Sequence, residues 1–243
     1  MRNKLSSLTA LLTTALQQDF VPTLLPGLRV WVTAKDINNN GQQPADGSAL
    51  ATWVNKTGLG NLTQGTGAKQ PTYKTAIVNG RAGVRFNGST TVLNGTFSDI
   101  TTLHTGFVVR RLNSINSHSV WYKGNSSTSG FGFFETSTRN VLFGGRAIKV
   151  NGTSTVNTTD IITLQWNGTT STIRVNGIAQ TLTGAATTPN SAVSTFFLGA
   201  STNLVEFLDG DIAEFILTNT VLSAKNINMV EQYLATQWKV AVA

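Results

Sequence analysis

Asn-Gly is the strongest short-range signal for a tight β-hairpin, because both residues tolerate the positive φ that a type I′ turn demands. In this chain it recurs at Asn40, Asn79, Asn87, Asn94, Asn151, Asn167 and Asn176, with Asp-Gly at Asp46 and Asp209. Short β-favouring runs lie between these turns: Leu28–Thr33, Thr75–Val78, Gly83–Phe86, Gly106–Arg110, Val120–Lys123, Phe131–Phe134, Ile161–Trp166, Thr172–Val175, Thr195–Gly199 and Asp211–Leu217. Many short strands at near-regular spacing predict a sandwich or barrel. Helices are expected only at the two ends. Leu5, Leu8, Leu12 and Leu16 recur at helical spacing, and a second helix after the N-cap Ser223 places Ile227, Val230, Leu234 and Trp238 on one face. No linker or internal repeat divides the chain, so residues 28–243 read as one β domain preceded by a helical arm, residues 1–27.

Composition narrows the chemistry. Charged residues make up 12% of the chain, about half the usual share, and cysteine is absent. Disulfide scaffolds, cysteine-ligated metals and thiol nucleophiles are thereby excluded. Net charge is +7, while residues 206–243 hold more acids than bases, leaving a basic body and a slightly acidic end. A basic surface favours anionic partners. Only Arg110 and Arg111 are adjacent, however, and no basic helix or arm points to nucleic acid. The N-terminal segment has the basic start of a signal peptide, but Ser6, Ser7, Thr9, Thr13 and Thr14 interrupt its apolar run. It reads as an amphipathic helix that docks on the domain or on a neighbouring subunit. No stretch is long and apolar enough to span a membrane as a helix.

The order of several motifs resembles a known family. Leu28-Arg-Val-Trp-Val-Thr-Ala34, Trp53-Val-Asn-Lys-Thr-Gly-Leu-Gly-Asn61, Asn79-Gly-Arg-Ala-Gly-Val-Arg-Phe86 and Thr172-Ile-Arg-Val-Asn-Gly177 follow one another. Phe207-Leu-Asp-Gly-Asp-Ile-Ala-Glu-Phe215 and the segment from Leu222-Ser223 to Trp238-Lys239 complete the series. Together they are similar to laminin-G-like members of the concanavalin A-like lectin/glucanase superfamily. That resemblance implies an all-β fold: a two-sheet antiparallel jelly-roll sandwich with a terminal helix. It also implies a calcium site, with Asp209 and Asp211 as first ligands, and no other cofactor.

Candidate chemistry is sparse. Glycoside hydrolysis needs two carboxylates at a defined separation. The nearest group is Glu206, Asp209, Asp211 and Glu214, where Asp209 and Asp211 flank a turn at Gly210 and strand alternation sends Glu214 to the face opposite Asp211. Glu214 is expected to partner an arginine or a backbone amide. His104 and His118 have no metal-binding spacing. Sugar binding calls for an aromatic face flanked by amide and cationic donors, and Trp121, Lys123, Asn125 and Arg139 offer that mixture. If Val120 faces the core, alternation exposes Trp121, unless the ring packs beneath a loop or at a subunit contact. The expected function is a non-catalytic virion surface protein, a phage decoration, tail or fibre component. It would assemble with itself or other virion proteins through Leu5, Leu8, Leu12 and Leu16, and grip cell-surface glycans. Its place would be the virion surface, with a secreted lectin as the alternative and a glycosidase behind it.

Overall fold

The computed structural model describes residues 20–100, 103–115, 118–124, 130–136, 139–144, 147–150, 155–182, 194–201 and 204–243. They form two antiparallel sheets packed face to face. Sheet A runs β14 (Ile178–Ala179), β13 (Thr172–Val175), β12 (Thr159–Trp166), β7 (His104–Leu112), β16 (Asp209–Thr218), β5 (Arg81–Asn87), β4 (Thr72–Val78), with β1 (Leu28–Thr33) also paired to β16. Sheet B runs β11 (Ala147–Val150), β10 (Arg139–Gly144), β9 (Phe131–Thr136), β8 (His118–Lys123), β15 (Thr195–Leu198), β6 (Leu93–Thr96), β3 (Leu62–Thr63), β2 (Thr52–Trp53). Of the sandwich or barrel that the turns allow, the two-sheet antiparallel sandwich that the resemblance implied is what forms. Phe20 and Leu25 are buried in the same core, so the body starts ahead of Leu28.

Two of the Asn-Gly pairs behave as the turn chemistry requires. Asn79-Gly80 has φ of 49° and 73° between β4 and β5, and Asn176-Gly177 has 49° and 80° between β13 and β14. One other Asn-Gly pair and one Asp-Gly pair are not turns at all. Asn94-Gly95 lies inside β6 and Asp209-Gly210 inside β16. A Cβ at Gly95 would stand 2.7 Å from the Phe97 ring, and one at Gly210 would stand 2.6 Å from the Arg111 carbonyl oxygen. Close approach, rather than backbone reversal, selects glycine there.

β16 organises sheet A. Its first half pairs with β5, through Asp209–Ile212, and its second half with β1, through Glu214–Thr218. Against β7 the register slips between Ile212 and Glu214, so Ala213 is an extra residue. This bulge corrects the expected alternation. Asp211 pairs with Arg111 and Glu214 with Val109, and both acids project from the outer face. Phe215 is turned inward, where its ring meets Trp121 and Phe196 of sheet B.

Helix α1 (Ala224–Trp238) covers that outer face with the stripe read from the sequence, Ile227, Val230, Leu234 and Trp238 buried. Ser223 caps it by accepting from the Asn226 amide, and Lys239 ends it in the left-handed conformation. Polar pins lock it down. Glu231 reaches from the helix to Arg174 Nε and Nη2, both at 2.9 Å, and accepts from Thr163 at 2.7 Å. Glu214 reaches the other way, from the sheet to the helix. No described helix is long and apolar enough to cross a membrane.

Candidate functional site

The Ala213 bulge is where two strands part company. β5 leaves β16 on its way back towards Arg81, and the end of β1 enters, with the Ala34 amide donating to the Ala213 carbonyl at 2.8 Å. The C-terminal end of α1 lies over this wedge. Lys35 contacts Gln237 there, and Asn79 Nδ2 donates to the carbonyls of Trp238 and Lys239 at 2.9 and 3.1 Å.

Glu214 is the floor of the wedge. Fully buried, its carboxylate accepts from Trp31 Nε1 and Trp238 Nε1 at 2.7 Å each, from the Tyr233 hydroxyl at 3.0 Å and from Thr33 Oγ1 at 3.3 Å. Among the described residues no cation forms an ion pair with it. Burial pushes its carboxyl above the ordinary value, and the four donors oppose that push. Tyr233 is driven well above its usual range by burial and then by the Glu214 charge beside it.

Trp31 forms the wall that reaches solvent. Its ring is half-buried, its indole N–H is fixed by Glu214, and its amide donates to Asn55 Oδ1 at 2.9 Å. The Lys56 ammonium lies 5.5 Å from the ring centroid and is held by Asp36 at 2.6 Å and Asn39 at 2.8 Å. Asp36 is kept below the ordinary carboxylate value by Lys56 and by the amides of Gly41 and Asn40, which outweigh its burial. An aromatic ring locked in orientation, with ammonium, carboxylate and amide groups at its rim, can hold a polyhydroxylated ring by C–H contact and hydrogen bonds.

The residues expected to bind sugar lie elsewhere. Trp121 is a core residue, against Phe131, Phe196 and Phe215. The reason is a second bulge: β8 slips against β9 between Ser119 and Trp121, so Val120 and Trp121 are both buried. Lys123 follows Trp121 inward. Its ammonium sits 5.6 Å from the Phe131 centroid, and burial pulls its pKa down to about 8, with Asp99 opposing. Asn125 lies outside the described residues, as do Leu5, Leu8, Leu12 and Leu16, and the side chain of Arg139 is not described. Of the expected sugar-binding residues that are described, Trp121 and Lys123 therefore belong to the core.

Asp209 and Asp211 do share a face, but arginines occupy it. Asp211 accepts from Arg85 at 2.8 and 3.1 Å and from Arg111 at 3.2 Å, while Asp209 accepts from Asn113. Guanidinium groups thus stand where calcium was expected, and no group of three or more candidate ligands occurs among the described residues. His104 lies inside the core beside Phe131 and Trp166. Glu135 and Asp160, 25 residues apart in the sequence, meet at Arg110 between the sheets.

Sequence reasoning missed the Trp31–Glu214 centre. Its signal was present as one acid in an otherwise apolar strand, together with Trp31, Tyr233 and Trp238. Periodicity does not reveal that three ring donors converge on one carboxylate.

No family model and no curated protein matches the chain. Solved structures match it in fold. A sialidase from Trypanosoma rangeli, in complex with the inhibitor DANA, superposes with a TM-score of 0.60 at 12% identity, over 88% of this chain and 34% of that one. Domain 4 of a GH43 extracellular arabinanase from Geobacillus stearothermophilus, in complex with arabinotriose, gives 0.58 at 12% identity, over 83% of this chain and 97% of that one. The chain spans about a third of the sialidase and nearly all of the arabinanase domain. At this identity the likeness shows the fold, which fits a concanavalin A-like sandwich. It overturns the expected virion role. These neighbours belong to glycoside hydrolases, and no comparison supports a phage decoration, tail or fibre protein.

Proposed function

We propose that this chain is a carbohydrate-recognising β-sandwich that serves a glycoside-hydrolase activity, with the half-exposed Trp31 ring as the surface on which a sugar sits. The observation that carries this reading is the way Trp31 is held. Glu214 fixes the indole N–H, Asn55 fixes the backbone, and Lys56, Asp36 and Asn39 stand around the ring. A ring with one orientation loses little freedom on binding, which is how preorganised sites gain affinity. The likeness to an arabinanase domain in complex with arabinotriose supports the reading, because that likeness covers nearly the whole of a single domain. The chemistry of Glu214 favours holding over cutting. Both its oxygens already accept from neutral donors, so a proton shuttle at this carboxyl would have to break them.

The test is affinity electrophoresis of the full chain on a panel of arabinan, galactan, xylan and sialylated glycoconjugates, with reducing-sugar release measured in parallel. Retardation on at least one glycan, lost in Trp31→Ala and partly kept in Trp31→Phe, is the expected result. Folding of each variant is checked by its thermal transition. A folded wild-type chain that binds nothing, or binding indifferent to Trp31→Ala, overturns the proposal. Reducing-sugar release that survives Trp31→Ala but stops in an acidic-residue variant replaces it with catalysis.

A further inference from the structure

We infer that the wedge beside Trp31 receives an anionic substituent of the bound saccharide, a carboxylate or a sulfate ester, through Arg81 and Lys35. This inference rests on the carbohydrate-binding reading and adds the class of sugar. Its first ground is a contrast among arginines. Arg29, Arg85, Arg110, Arg111 and Arg174 each hold a carboxylate. Arg81 holds none among the described residues, and its Nε is buried with no hydrogen-bond partner. Buried donors without acceptors are rare in folded proteins, and each calls for an explanation. The guanidinium fork of arginine is shaped for two oxygens of one anion.

Lys35 is the second ground. Among the described residues its ammonium reaches the Gln237 amide oxygen, at the end of α1, and no carboxylate forms an ion pair with it. Asn79, two residues before Arg81, meets the same helix end, so both cations lie at this corner; the Arg81 charge acts on Lys35 and the more weakly acting Glu214 carboxylate opposes it. The candidates for internal neutralisation are already committed. Glu214 spends its oxygens on four neutral donors. The helix-end carbonyls of Trp238 and Lys239 accept from Asn79 instead of Arg81. What remains is a pair of cations without an ion-pair partner among the described residues, set around the same carboxylate that orients Trp31.

The third ground is position. Trp31 and Lys35 lie at the two ends of one short segment that crosses Glu214, and Arg81 enters from β5 on the far side of the bulge. A sugar on the Trp31 ring can therefore direct one substituent into the notch. A neutral sugar would leave the two cations facing each other.

Calorimetric titration of the full chain with matched ligands tests this. One arm compares galacturonate oligomers with their methyl esters; the other compares sulfated galactan fragments with desulfated ones. The free acid or the sulfate ester should bind about tenfold tighter than its neutral partner, as a charge-assisted bond implies. The arm showing the preference identifies the anion. Arg81→Gln and, separately, Lys35→Gln should pull that ratio towards one. Neutral and anionic partners binding equally to the wild type would overturn the inference and leave the carbohydrate reading standing, as would a preference untouched by both substitutions. If no saccharide binds at all, the carbohydrate reading fails. The notch is then read with acetate and inorganic sulfate alone: a thermal shift seen in the wild type and abolished in Arg81→Gln supports it, and identical shifts in the two proteins refute it.

Discussion

Two of the buried acidic centres of this sandwich are neutralised in opposite ways. Between the sheets, Arg110 of β7 donates through Nε to Glu135 of β9 at 3.0 and 3.1 Å, and through Nη1 to Asp160 of β12 at 2.5 Å. The arginine and Glu135 are all but sealed from solvent. Outside sheet A, Glu214 is sealed as completely, yet only indole, phenol and hydroxyl donors meet it. The first centre bridges two layers with a formal charge pair. The second pins a helix and a tryptophan with dipoles. A cation balances charge strongly but fixes few neighbouring groups, whereas neutral donors each fix the side chain that carries them. The centre that must position Trp31 is the one made of donors.

Arg110→Met is the severest way to break this comparison. It strands two carboxylates between the sheets, and breaking such a buried pair costs about 3–5 kcal/mol. Urea unfolding at neutral pH should show that loss, and a change near zero would mean that the triad does not bridge the layers. Glu214→Ala comes next, at about 2–4 kcal/mol, because three ring donors, the buried Trp238 among them, lose their acceptor while part of that loss is recovered by water. The same variant should also lose glycan retention, since it frees the Trp31 ring; stability loss without binding loss would separate the two roles of Glu214.

A smaller effect separates the centres by pH. The Glu214 carboxyl is raised in the fold, chiefly by burial. Its contribution is therefore fully present below the ordinary carboxyl range and declines as pH rises through the raised value. The urea midpoint of the wild type should consequently fall relative to that of Glu214→Gln as pH rises from acid towards neutral. A wild-type midpoint that rises against Glu214→Gln over the same range would reverse this sign. Smallest is Ser223→Ala, which removes the cap of α1 and should cost about 1 kcal/mol in thermal or urea unfolding. Because α1 supplies Tyr233 and Trp238, any added loss in the Glu214→Gln background should be less than additive.

Some of this was legible in the sequence and some was not. Strand runs such as Thr172–Val175 and the helix stripe from Ile227 to Trp238 came from local periodicity, and the structure keeps them. Asn79-Gly80 and Asn176-Gly177 were read correctly as turns. Asn94-Gly95 and Asp209-Gly210 were not, because crowding by Phe97 and by the Arg111 carbonyl selected the same residue type for another reason. Asn55 shows the same ambiguity. It sits in an N-x-S/T sequon, yet its side-chain amide donates to the Arg29 carbonyl and its oxygen accepts from Trp31 and Thr57. In the folded chain that amide is a clamp on β1.

The sequence by itself determined that this protein is an all-β fold of short strands closed by a terminal helix. Turn chemistry and two-residue alternation are local, and each can be read within a few residues. Only the tertiary structure decided which acids share a face, which tryptophan meets solvent and which arginine lacks a partner. Single extra residues at Ala213 and Val120 reversed the alternation that sequence reasoning relies on, moving Glu214 beside Trp31 and turning Trp121 into the core. A bulge depends on the pairing of two distant strands, so neither strand's own sequence reveals it.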